Sequence, residues 1–153
     1  MNKPMASPRA VHAGWAHVWP IRVYYEDTDA AGIVYYANYL RFAERARTEM
    51  LREISPRYYD PATAGGIAFA VRRCTADFAR AARLDDVLQV HTRIVKVAGA
   101  SFNVEQIVRR GAEALVRLDV HLACMNAAGR AERLPLELRA VLRELCTTSE
   151  RSG

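Results

Sequence analysis

The stretch YANYLRFAERARTEMLREI, Tyr36 to Ile54, decides the architecture. Tyr39, Phe42, Ala43, Ala46, Met50, Leu51 and Ile54 recur at three- and four-residue steps and make one apolar stripe, the signature of a helix that buries one face. Arg41, Glu44, Arg45, Arg52 and Glu53 fall largely on the other side. Ser55-Pro56 ends the helix, because the residue before a proline is pushed out of the α region. Glu44, Arg45 and Arg47 are placed to form local ion pairs along it, each worth about 0.2–0.5 kcal/mol.

Around this helix the pattern changes period. Upstream, His17 to Tyr25 (HVWPIRVYY) is rich in Val, Ile and aromatics and reads as a strand, with Pro20 at its start or on an edge. Downstream, Pro61 to Gly66 reads as a loop and Ile67 to Phe78 as a strand, followed by a turn around Arg83 to Asp86. Leu88, Val90 and Ile94 share one face, and Phe102, Val104 and Val108 another. Ala114, Val116, Leu118, Val120, Leu122 and Cys124 alternate with polar residues and form the cleanest half-buried strand. Gly99 and Gly111 mark turns, and a last helix opens at Pro135 with Leu138, Val141, Leu142 and Leu145 on its apolar side. Strand, long helix, four strands and short helix make an α+β layer, an antiparallel sheet of about five strands with the helix on one face. The domain is expected over 17–146, with a flexible extension over 1–16 and a polar tail over 147–153.

Composition narrows the function classes. The chain has 153 residues, enough for one core, and no apolar run near the roughly 18 residues of a membrane span. The first sixteen residues have no h-region, so a cytoplasmic location is the default. The net charge of +5 is spread over scattered arginines without a nucleic-acid motif, which favours a phosphate-bearing small ligand over a nucleic acid. Cys74, Cys124 and Cys146 are odd in number and far apart, so they read as small buried hydrophobes. No spacing of histidines and carboxylates indicates a metal, and no G-x-S-x-G indicates a serine hydrolase. His91 and His121 fall on polar strand faces.

The junction from Tyr25 to Tyr39 carries the chemistry. Glu26, Asp27 and Asp29 crowd before Gly32 and the helix start. A helix N-terminus offers unpaired N–H groups that can hold an oxyanion, and a carboxylate beside it can attack a carbonyl or activate water. The same acids also serve as ordinary caps, so physics alone leaves both readings open.

The segment YYEDTDAAGIVYYANYLRFAERARTE strongly resembles the 4-hydroxybenzoyl-CoA thioesterase family of hotdog proteins, and within it the Tol-Pal system-associated acyl-CoA thioesterases of the YbgC type. Ala82 to Leu88 (ARLDDVL) resembles the family's turn into a strand, and the likeness extends from about Ile21 to Leu145. The resemblance implies a hotdog fold, an acyl-CoA substrate, or one on acyl carrier protein, no cofactor, and a homodimer or homotetramer with substrate between subunits. It implies Asp29 as the catalytic nucleophile or general base and Tyr36 as the residue whose N–H polarises the thioester carbonyl. Gly32, Val34 and Tyr35 would line the substrate, Gly32 permitting close backbone approach. Asp27 reads as a turn or capping residue. Glu44 is a further candidate, since some hotdog thioesterases use a helix-borne or partner-subunit glutamate. Two positions depart from the family pattern. Many YbgC-type members carry histidine where this chain has Tyr36, and the turn Lys96 to Ser101, where relatives hold CoA phosphates, keeps only Lys96 as a base beside Ser101. The competing reading is a hotdog scaffold that binds acyl chains without turnover. A dehydratase fits less well, because such enzymes pair the aspartate with a nearby histidine and none follows Asp29.

Overall fold

The computed structural model describes residues 14–59 and 67–151; the expected loop at Pro61 to Gly66 and most of the expected N-terminal extension lie outside the described residues. Five strands, β1 (His17–Arg22), β2 (Ala68–Phe78), β3 (Val87–Val97), β4 (Ser101–Arg110) and β5 (Glu113–Met125), form one antiparallel sheet in the order β1-β3-β4-β5-β2. The long helix α1 spans Asn38–Ile54, a short α2 follows at Pro56–Tyr59, and α3 runs from Leu136 to Arg151. This is the expected α+β hotdog arrangement.

Strand order dictates where α1 must lie. The chain leaves one edge at β1 and re-enters at the opposite edge as β2, so the connection has to cross the sheet. Five strands at about 4.8 Å spacing are roughly 19 Å across, and a 17-residue helix is about 25 Å long, enough to make that crossing. Its stripe of Tyr39, Phe42, Ala43, Ala46 and Met50 is fully buried against the inner sheet face. The start of α1 lies near the end of β2, where Tyr36 and Tyr39 meet Phe78 at 5.9 Å. Its other end lies by β1, where Glu53 approaches His17. The helix packs on β1, β3 and β4, and β2 is exposed along most of its length.

Several boundaries and faces differ from expectation. The first strand stops at Arg22, and Tyr25–Asp27 forms a 3-10 turn, because Asp27 caps it. Helix α1 opens at Asn38, after a turn in which Asn38 N–H donates to Tyr35 O at 2.8 Å. The backbone of α3 continues through Arg151, into the stretch expected as a tail. In β5, Ala114 is exposed and Leu115 is buried: Val108 pairs with Val116 and Arg109 with Ala114, so Leu115 is the extra residue of a bulge that breaks the alternation. Cys74 is exposed on the β2 edge, whereas Cys124 is buried as expected.

Arg47 departs furthest from its expected role. It is 8% exposed and reaches across the core, where its Nη1 donates to Gln106 Oε1 at 2.8 Å. Gln106 in turn donates to Ala43 O and to Thr92 Oγ1, both at 3.0 Å. Burial pushes the Arg47 guanidinium below its ordinary pKa, with Glu44 countering. A polar side chain on the inner face of β4 is thus matched to a cation on α1, and both polar ends of the Gln106 amide are satisfied.

Candidate active site

The segment from Tyr24 to Asn38 folds into a closed loop by its own hydrogen bonds. Asp27 is 4% exposed; its Oδ2 accepts from Tyr24 N–H at 2.9 Å and its Oδ1 from Asn38 Nδ2 at 2.8 Å. Thr28 and Val34 form an isolated bridge, which closes the tip that carries Asp29. There Asp29 N–H donates to Ile33 O at 2.9 Å, and Gly32 N–H donates back to Asp29 O at 3.0 Å. The Asp29 side chain is exposed; Oδ1 accepts from Ala31 N–H at 2.9 Å. That bond orients the carboxylate and leaves its other oxygen uncommitted among the described residues.

Gly32 has φ +76°, a conformation that costs an L-residue about 1–2 kcal/mol. Nothing lies within 4 Å of where its side chain would be, so within one chain the tip needs glycine for its backbone angle and not for close packing. The loop is also anchored from outside. Val34 N–H donates to Ala82 O at 2.9 Å, Ala82 N–H donates to Tyr39 Oη at 2.9 Å, and Ile33 bridges Arg83.

The amides between the loop and α1 divide into two groups. Val34 N–H is taken by Ala82 O, and Tyr35 N–H by Asp27 O at 2.9 Å. The first intrahelical turn then uses Asn38, Tyr39 and Leu40 N–H, which donate to Tyr35, Tyr36 and Ala37 O. The N–H groups of Tyr36 and Ala37 have no acceptor among the described residues. They are two of the orphan donors that every helix start leaves, here aligned with the positive end of α1. Such donors stabilise a carbonyl oxygen that gains charge under attack.

Of the expected site residues, the structure brings Asp29, Gly32, Tyr35 and Tyr36 into one exposed region. The rings of Tyr35 and Tyr36 meet at 5.0 Å, and with Phe78 they form an aromatic ledge beside the loop. Val34, expected to line the substrate, is instead buried in the core and presents no side chain to this exposed region. Glu44 is exposed and accepts from Thr48 Oγ1 at 3.1 Å.

Lys96 and Ser101 lie elsewhere. Ser101 pairs with Ala123, which pairs with Ala70, whereas the ledge is at Phe78. From Ala70 to Phe78 along β2, at about 3.3 Å per residue, is roughly 26 Å, so one chain does not unite this turn with Asp29. The turn does have a basic neighbour that sequence reading missed. A side-chain carbon at Gly99 would come within 3.7 Å of the Arg133 guanidinium, and Leu134 N–H donates to Gly99 O at 2.9 Å. No local pattern announces Arg133, because its proximity arises from the packing of the segment before α3 onto the β3–β4 turn.

The chain is similar to known proteins along most of its length. The profile of the Thioesterase superfamily matches residues 31–116. The acyl-CoA thioesterase YbgC of Haemophilus influenzae is 40% identical over 83% of this chain and 94% of its own length. The acyl-CoA thioester hydrolase YbgC of Escherichia coli (strain CFT073) is 46% identical over 64% of this chain and 78% of its own. Among solved structures, a probable thioesterase from Bartonella henselae superposes with a TM-score of 0.71 at 37% identity, covering 78% of this chain and 98% of that one. The profile match over residues 31–116 and 40% identity across 94% of a named thioesterase, on a five-stranded antiparallel sheet crossed by one long helix, lead to one conclusion: the chain belongs to the thioesterase superfamily.

Proposed function

We propose that this protein hydrolyses an acyl-CoA thioester to the free acid and CoA, with Asp29 as the reacting carboxylate and the amides of Tyr36 and Ala37 as the oxyanion hole. The observation that carries the reading is one closed loop with, among the described residues, a carboxylate oxygen without a partner at its tip and two amides without acceptors where it runs into α1. Relatives named as acyl-CoA thioesterases support the substrate class.

Two routes fit this geometry. As a general base, Asp29 takes a proton from water as the oxygen attacks the thioester carbon. As a nucleophile, Asp29 itself attacks, and water then hydrolyses the resulting anhydride. In both, the C–S bond breaks in the collapse of the tetrahedral intermediate and the CoA thiolate leaves, picking up a proton. The Tyr36 ring takes no part in either route, so a chain with tyrosine here needs no imidazole. Single turnover in ¹⁸O-water identifies the nucleophilic route when water attacks the aspartyl carbonyl of the anhydride, which leaves label in the Asp29 side chain, and trapping with hydroxylamine detects the anhydride whichever carbonyl water attacks.

A homodimer completes the site in this reading. An edge strand with exposed Val71 and Phe78 and an unpaired row of backbone groups invites a second copy. Antiparallel pairing of β2 with the partner's β2 across a two-fold axis reverses the strand. The partner's Lys96, the partner's Ser101 and the partner's Arg133 then come to the end of the sheet that holds Asp29, where CoA phosphates need cations.

The test is Asp29→Asn assayed on a panel of acyl-CoAs. A kcat about 10²–10⁴ below the parent is expected, the range for a lost acid–base group. A variant as fast as the parent refutes the assignment, and acyl-CoA binding without turnover in the parent favours the scaffold reading.

A further inference from the structure

We infer that Asp27 and Asn38 form a positioning pair for this reaction, holding the turn that carries Asp29 at a fixed offset from the amides that open α1. This rests on the reading of Asp29 and the Tyr36 amide given above. Asp27 is the hub of the loop. Its own N–H donates to Tyr24 O at 3.0 Å, its carboxylate accepts from Tyr24 N–H and Asn38 Nδ2, and its carbonyl accepts from Tyr35 N–H at 2.9 Å. Those partners lie on both sides of Asp29 in the chain, one before it and two after. Asp27 and Asn38 are 4% and 6% exposed, so the bond between them is shielded from water.

A turn needs no buried carboxylate to form. Burying one is costly unless its hydrogen bonds are satisfied, and here no cation pairs with it among the described residues. What the pair adds is a rigid strut. Asn38 is the first residue of α1, two beyond the Tyr36 amide, and Asp27 is two residues before Asp29. A strut between these positions sets how far the carboxylate stands from the oxyanion donors. Displacement of reacting groups by about 1 Å can cost on the order of 10² in rate.

The test uses variants that break and remake the strut. Asn38→Asp sets two carboxylates against each other at the helix start, where an acid otherwise favours the helix. It is expected to lower kcat at least tenfold, with KM within threefold of the parent. The swap D27N/N38D restores one donor facing one carboxylate, with the parental net charge, and is expected to return kcat to within threefold. Asn38→Ala removes the donor without adding charge and serves as the second arm, also expected to lose at least tenfold. Parental kcat in either single variant, or a folded swap as slow as Asn38→Asp, overturns the inference. Asp29→Asn assayed beside them separates the two claims. A parental rate there ends the parent reading and this inference with it. A slow Asp29→Asn alongside fast Asn38 variants ends only the strut.

Discussion

Tyr36 separates backbone from side chain at the site. Tyr36 is 61% exposed and its ring rests edge-on against Phe78, whereas its N–H is the group proposed to hold the substrate carbonyl. Tyr36→Phe is therefore expected to keep kcat within about threefold of the parent, because removing the hydroxyl leaves the amide donor in place. Steady-state kinetics on the best acyl-CoA checks this, and a loss comparable to that of Asp29→Asn would assign the chemistry to the phenol. Such a result was not legible in residue types. The sequence names a tyrosine, and only the hydrogen-bond accounting of Val34, Tyr35 and Tyr36 shows which amides are already taken.

Between elements, two polar contacts set stability. The strut of Arg47 and Gln106 joins α1 to β4, and removing one member leaves the other buried without its partner. Gln106→Leu is expected to cost about 2–3 kcal/mol, the range for stranding a buried polar group beside a charge. Adding Arg47→Met is expected to recover much of that loss, and urea midpoints measure both. The second contact joins β1 to α1. His17 is 2% exposed, stacked on Trp19, with Glu53 Oε2 3.3 Å from Nε2 but off the line of a hydrogen bond. Burial lowers its pKa below the ordinary 6.5, with Glu53 and Glu49 opposing. A depressed pKa means the fold favours the neutral ring. The contribution is full above pH 6.5 and is lost as pH falls through the folded-state value. His17→Gln should therefore flatten the decline in stability below pH 6.5, as read from urea midpoints across pH 7.5 to 5. An unchanged acid limb would show that His17 does not contribute to it.

For the whole molecule, the open edge at β2 is the decisive feature. Val71 is 50% exposed on an eleven-residue strand that pairs on one side only among the described residues. If β2 pairs with a second copy as proposed, Val71→Asp is expected to give a monomer in light scattering and to lower activity with it, since it puts two charges into that interface. A monomeric parent with full activity would remove the partner from the site. Complementation gives a second reading at this scale. Mixed Asp29→Asn and Lys96→Ala protomers should regain activity above that of either parent variant, if the two residues act across the interface.

Much was legible from sequence where one rule of local physics operates. The apolar stripe of Tyr39, Phe42, Ala46 and Met50 and the alternation of Val116, Leu118 and Val120 report which face an element buries. The acids crowded before a helix start mark a candidate junction, within which only the likeness to a known family singled out Asp29 and Tyr36. Such patterns depend on neighbours a few residues apart in the chain, which is why they survive without coordinates. Register, by contrast, is a property of pairs distant in sequence. It decided that Leu115 and not Ala114 turns inward, that Gln106 receives Arg47, that Arg133 overlies the β3–β4 turn, and that Lys96 stands far from Asp29 in a single chain. Periodicity encodes the face a side chain occupies; what covers that face is settled only when the strands pair and α1 crosses them.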